Sequence, residues 1–188
     1  MKKIVLSLAI ILCGIVANAQ EFKPFRVGIG LGYTMPSDGG GGVLFDIEPS
    51  YRLSDEIALG LRIESAAMAR AIGEDEGSVS GNGSYTLNGQ YYLSNNKFRP
   101  YVGLGVGLYS LASVSISGTS GEIASESKIG FYPRVGFDLG HFNLNLDYNL
   151  ISATEESFDF GNGNTVETDI KNSYLGIRIG AFIGGGRN

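Results

Sequence analysis

From residue 25 onward, apolar and polar positions alternate one by one in eight separate stretches. In the clearest of them, Phe142, Leu144, Leu146, Tyr148 and Leu150 interleave with Asn143, Asn145, Asp147 and Asn149. A strand turns successive side chains to opposite faces, whereas a helix repeats every 3.6 residues, so this pattern predicts a strand with one apolar and one polar face. The same period predicts strands over residues 25–33, 43–52, 56–67, 84–93, 101–112, 128–139, 142–150 and 172–183. Pro49 is a local conflict in the second, because proline has no N–H to give to a ladder.

The connections alternate too. Short turns fall near residues 54, 96 and 140, and longer polar loops near 38, 75, 120 and 160. Short turns on one rim and long loops on the other are the plan of an all-β, eight-stranded antiparallel up-and-down transmembrane β-barrel. A soluble, lipocalin-like binding barrel is the structural rival, with the apolar face inward.

Three features turn the polar face inward. It carries glycine at 28, 30, 32, 60, 103, 105, 107, 130, 136, 176 and 180. Small residues suit the bore of an eight-stranded barrel, which is barely wide enough for side chains. Its midspan charges come in both signs, Arg26, Arg52, Arg62, Arg134 and Arg178 with Asp46, Glu48, Glu64, Asp138 and Asp147. Opposite charges in a narrow lumen can neutralise one another through arginine forks. The lysines at 23, 97, 128 and 171 sit at strand ends or in turns, where they reach a membrane interface. Aromatic residues fall in two bands, as at two interfaces: Phe25, Tyr51, Tyr91, Tyr101, Phe137, Phe142 and Phe182 near the short turns, and Tyr33, Phe45, Tyr85, Tyr109 and Phe131 near the loops.

Composition agrees with this reading, with 29 glycines, 10 tyrosines, 10 phenylalanines and no tryptophan in 188 residues. Residues 1–19 are expected to form a cleaved secretory signal. Lys2 and Lys3 make its basic end, residues 4–16 its apolar centre, and Ala17-Asn18-Ala19 its cleavage site. Residues 20–188 then form the barrel domain, exported to the outer membrane of a Gram-negative cell. Cleavage removes Cys13, the single cysteine, so no disulfide or thiolate site is expected. It also removes two of 14 basic and none of 19 acidic residues, leaving a net charge of -7, which disfavours a nucleic-acid partner.

With these features the chain resembles the small eight-stranded outer-membrane barrels of the OmpA/OmpX/OmpW kind, in their glycine-rich Bacteroidetes form. The resemblance covers roughly residues 22–183. It rests on the signal, the eight alternating strands and the last strand Ser173-Tyr174-Leu175-Gly176-Ile177-Arg178-Ile179-Gly180-Ala181-Phe182. It implies a monomer held in outer-membrane lipid and lipopolysaccharide, assembled by the barrel-assembly machinery. That machinery reads a terminal aromatic in family members. Here Phe182 is followed by residues 183–188 and falls on the inward parity.

No motif of catalytic, cofactor or metal chemistry stands out. The glycines of Gly28-Ile29-Gly30-Leu31-Gly32 and Gly103-Leu104-Gly105-Val106-Gly107 continue a strand, whereas a phosphate loop needs a helix to follow. His141, the single histidine, lies in a short turn, away from the loop serines that a triad on lipid A would need. Acidic residues gather in the loops, at Glu74, Asp75, Glu76, Glu122, Glu126, Glu155, Glu156, Asp159, Glu167 and Asp169, but without the ligand spacing of a calcium loop. The expected feature is an ion-paired, mostly closed lumen built from Asp46, Glu48, Arg62, Glu64, Arg134, Asp138, Asp147 and Arg178. Glu48, Glu64, Arg62 and Arg134 are its expected centre. The resulting expectation is a non-enzymatic barrel with a structural or binding role through its outer loops. A narrow pore for small solutes and a lipid-modifying enzyme remain alternatives.

Overall fold

The computed structural model describes residues 21–37, 39–72, 76–114, 124–159 and 165–187, with side chains at all but 70–72, 76–79, 112–114, 124–125, 154–159 and 165–170. The expected leader and Glu74, Asp75 and Glu122 lie outside the described residues, as do the side chains of Glu76, Glu155, Glu156, Asp159, Glu167 and Asp169.

Among the described residues ten strands follow one another: β1 (Phe25–Pro36), β2 (Gly41–Arg52), β3 (Ile57–Ile72), β4 (Glu76–Tyr92), β5 (Phe98–Val114), β6 (Ala124–Leu139), β7 (Phe142–Ile151), β8 (Thr154–Asp159), β9 (Thr165–Ile170) and β10 (Tyr174–Gly184). Eight of them close into a barrel in the order β1-β10-β7-β6-β5-β4-β3-β2, with every neighbouring pair antiparallel. The other two, β8 and β9, form a separate hairpin in the connection between β7 and β10. The sequence pattern predicts only a polar loop there. Thr154–Asp159 carries a single apolar residue, Phe158, so no contrast of faces marks it as a strand.

The barrel is apolar outside and polar inside. Leu31, Leu104 and Ile129 are 62%, 67% and 71% exposed, while Arg26, Arg62 and Arg178 are each 1% exposed. A band of exposed aliphatic and aromatic side chains around a closed sheet would be a large unfavourable area in water, and it matches a hydrocarbon layer. Phe25, Tyr51, Tyr91, Phe98 and Phe142 point outward near the short turns, and Tyr33, Phe45, Tyr85, Phe131 and Tyr148 near the loops. Tyr101 and Tyr109, assigned above to these bands, point into the lumen instead and are 2% and 0% exposed. They share parity with Gly103, Gly105 and Gly107, and parity decides where a strand residue points.

The wall has two heights. β3 to β6 run 16, 17, 17 and 16 residues, against 12, 12, 10 and 11 for β1, β2, β7 and β10. About 9–11 residues suffice to cross the hydrocarbon, so β3 to β6 stand beyond it on the loop side. The ladders lapse at two prolines. Pairing of β2 with β3 skips from Ile47↔Ile63 to Ser50↔Gly60, around Pro49. Pairing of β6 with β7 skips from Phe131↔Leu150 to Arg134↔Asp147, around Pro133. Each lapse contains a residue with no N–H to donate.

Candidate functional site in the barrel lumen

Every strand of the barrel sends alternate side chains into the bore. There they must find polar partners, because unpaired charge is costly away from water. Glycine on one strand makes room for a large residue from another. A side chain at Gly105 would overlap the ring of Tyr132, which is fully buried.

Nearest the short turns, Arg26 of β1 reaches across to Asp138 of β6, with Nη1 2.7 Å from Oδ2. Its Nε donates to Ser50 (3.0 Å) and its Nη2 to Gln90 Oε1 (2.9 Å). Asp138 also accepts from the Tyr92 hydroxyl (2.9 Å) and from Asn143 Nδ2 (2.7 Å). The guanidinium of Arg26 lies 3.9 Å from the centre of the Phe182 ring. Phe182 therefore keeps its inward parity.

One step up, Nη1 of Arg134 donates to both carboxylate oxygens of Glu48, at 3.0 and 2.8 Å. Gln90 joins this pair to the one below, because its amide nitrogen donates to Glu48 (2.8 Å) while its oxygen accepts from Arg26. Five of the eight expected residues form a further cluster. Arg62 donates to Asp147 (2.9 Å), lies 3.7 Å from Glu64 and packs 3.8 Å from the centre of the Tyr132 ring. Arg178 contacts Glu64 and Asp147, and its Nε is 3.4 Å from Asp46. Tyr174 donates to Glu64 at 2.5 Å, and Asn149 to Asp147 at 2.7 Å.

The geometry thus divides the four residues expected at the centre. Glu48 pairs with Arg134, whereas Arg62 and Glu64 belong to the Arg178 cluster. Arg134 and Asp147 face each other in register, yet the guanidinium of Arg134 turns away to Glu48. Among the described residues the lumen buries six arginines, at 26, 52, 62, 99, 134 and 178, and five carboxylates, at 46, 48, 64, 138 and 147. Arg99 is the one arginine of the six outside the strands that the sequence pattern predicts, because β5 begins at Phe98 rather than at residue 101. Tyr92, Tyr101, Tyr132, Tyr174 and Gln90 also complete the network, and all lie at inward parity. A cavity of about 20 Å³ sits beside Asp46, Glu48, Arg134, Asn145 and Arg178, room for roughly one water molecule.

His141 is exposed in the β6–β7 turn. Among the described residues no group of three or more histidine, cysteine or acidic side chains could hold a metal ion.

The structure resembles solved outer-membrane barrels. One is the outer membrane protein OprG from Pseudomonas aeruginosa, 16% identical, with a TM-score of 0.58 over 88% of this chain and 98% of that one. Another is Neisserial surface protein A, 15% identical, with a TM-score of 0.51 over 85% of this chain and 96% of that one. At such identities the likeness is one of fold. No curated protein matches the chain at a significant level. The family model described as "Outer membrane protein beta-barrel domain" matches residues 4–181. A closed eight-stranded barrel, apolar outside and charged within, and a family match over nearly its whole length mean that this chain belongs to the outer-membrane protein β-barrel domain family.

Proposed function

We propose that this protein is a non-enzymatic outer-membrane barrel with a closed lumen, acting through its outer surface and loops. One observation carries the reading. Arg62–Asp147 joins β3 to β7 and Arg134–Glu48 joins β2 to β6, and each of these strand pairs stands four places apart in the ring of eight. Two ion pairs thus span the full diameter of the bore, and Arg26–Asp138 adds a third bar beneath them. Breaking a buried pair leaves an uncompensated charge worth about 3–5 kcal/mol, so thermal motion rarely opens such bars.

A role in envelope integrity or in contact with external molecules follows. Lipid and the headgroups of lipopolysaccharide would surround the apolar band, and the barrel-assembly machinery would insert a monomer. The mature charge of -7 argues against nucleic acid. The exposed, solitary His141 supports no hydrolytic site, so lipid A is expected to be unchanged by His141→Ala.

Recording in planar lipid bilayers at neutral pH tests the closed lumen. The expected result is no stable conductance, and a steady single-channel current would overturn it. A narrow conduit is the second reading. It is favoured by the inner face of β4, where Ser80, Asn82, Ser84 and Asn88 carry buried polar atoms without hydrogen-bond partners.

A further inference from the structure

The chain does not run straight away from the barrel on either side of its first and last strands. Gly184 and Gly185 have φ of 82° and 67°, a region that residues with a side chain rarely adopt. They turn the following residues back over the mouth on the short-turn rim. There Arg187 forms an antiparallel bridge with Phe22, and the Lys23 N–H donates to the Gly186 carbonyl at 2.8 Å. Residues 21–24 and 184–187 are therefore paired with each other.

This pair crosses the opening. Arg187 Nη2 donates to the Asn95 carbonyl (2.7 Å) in the β4–β5 connection, which lies across the ring from the β1–β10 seam. Its Nε is 2.9 Å from Glu21. In the β2–β3 turn, Asp55 accepts from the Glu21 N–H (3.1 and 3.0 Å) and the Phe22 N–H (3.2 Å). Arg52, at the end of β2, donates to the Gly185 carbonyl (2.9 Å). The pair is thus tied to two places on the rim beyond its own seam, the β2–β3 turn and the β4–β5 connection.

Phe22 points down from it and is 7% exposed. Guanidinium groups surround its ring, with Arg99 at 3.9 Å, Arg52 at 4.7 Å and Arg187 at 5.4 Å from the centroid. Arg99 also lies 4.2 Å from the Tyr92 ring and donates to the Asp55 carbonyl. Cations over aromatic faces are stabilised most where water is excluded. Ordering these residues costs backbone entropy. The contacts offset that cost at a point where the barrel ladders are already complete.

We propose that residues 21–24 and 184–187 form a lid over the short-turn mouth, with Phe22 as its stopper. The lid shuts the lumen from that side independently of the ion pairs above it. Short turns of outer-membrane barrels face the periplasm, so the lid guards the periplasmic entrance. In this reading the residues after Phe182 serve the mature protein as half of a closure.

Thiol accessibility tests it in the folded protein reconstituted in lipid vesicles. Ser50 faces inward beneath the lid, 4% exposed and bonded to Arg26. Ser50→Cys is reacted with iodoacetamide, with the parent chain measuring any background from Cys13. Slow labelling is expected, rising about tenfold or more when Phe22→Ala is added or residues 184–188 are deleted. Equal rates in folded samples, judged by heat-shifted gel mobility, would overturn the lid. Amide hydrogen exchange on the unsubstituted protein gives a second measurement that no folding failure can spoil. The Phe22 and Lys23 amides are expected to be protected, and exchange at the rate of an unstructured peptide would also overturn the lid. Bilayer conductance of the Phe22→Ala barrel separates the two readings. Faster labelling without current means that the lid has opened while the ion pairs still close the bore.

Discussion

Two halves of one lumen handle buried polar groups differently. In the half nearer the short turns and at mid-height, all five buried carboxylates among the described residues are ion-paired with arginine, and Gln90, Asn143 and Tyr92 fill remaining positions around them. In the half nearer the loops, an apolar cluster of Leu44, Ala66, Met68, Tyr109, Ile151 and Tyr174 lies alongside the polar inner face of β4. The Oγ atoms of Ser80 and Ser84 and both amide atoms of Asn82 have no hydrogen-bond partner there. On β4, at one parity, Gln90 thus belongs to a bonded bar, Ser80, Asn82 and Ser84 to a wall of unpartnered atoms, and Asn88 between them leaves its Nδ2 without a partner. Polarity at an inward position therefore says little about its energetic weight, which depends on whether a partner is lost when it changes.

Substitutions can break this comparison, and the largest effect is expected at Arg62. Arg62→Met keeps most of the side chain's volume but leaves Asp147 and Glu64 with Arg178 as their remaining ion-pair partner. It also removes the guanidinium from the Tyr132 ring. The expected loss is about 3–5 kcal/mol, read as a lower midpoint of urea unfolding in lipid vesicles. A loss under about 1 kcal/mol would mean that the cluster is hydrated and bears little load. Tyr174→Phe makes a smaller change in the same cluster, since it removes only the hydroxyl that donates to Glu64. A hydrogen bond to a charged group sets the expectation at about 1.5–3 kcal/mol, measured in the same titration.

The barrel itself was legible because its two faces differ in polarity. The strand at residues 142–150 turns Phe142, Leu146 and Tyr148 outward and Asn143, Asn145, Asp147 and Asn149 inward, as its alternation implied. Legibility failed where that contrast failed. β4 begins at Glu76, well before residue 84, because over residues 76–83 glycine, serine and asparagine are relieved by a single apolar residue, Val79, too little contrast to mark a strand. Its ladder to β3 nevertheless runs unbroken from Ile57↔Tyr91 to Ile72↔Glu76. Tyr101 and Tyr109 have the aromatic character of an interface band but the parity of Gly103, Gly105 and Gly107, and parity turns them inward. The pairing of charges was harder still. Arg134 sits in register beside Asp147, yet its long side chain reaches Glu48 on the far wall. That choice depends on the order and stagger of all eight strands, which no local pattern encodes. The lid was illegible for a related reason, since Phe22 and Arg187 meet only after the barrel has closed.

The smallest expected effect sharpens the comparison most. Ser84 is 2% exposed on the inner face of β4, and its Oγ has no partner. Ser84→Ala removes a buried hydroxyl without stripping a bond from any neighbour, whereas Tyr174→Phe leaves Glu64 short of a donor. Burial of an unpaired hydroxyl is itself unfavourable, so the alanine variant is expected to match the parent within about 0.5 kcal/mol or to exceed it by up to about 1 kcal/mol. The same urea titration decides it. A loss above about 1 kcal/mol would show that the β4 wall is bonded in the membrane, through water or a shifted side chain. The loop-side half would then belong to the same network as the bars below it, and the conduit reading would lose the observation that favours it.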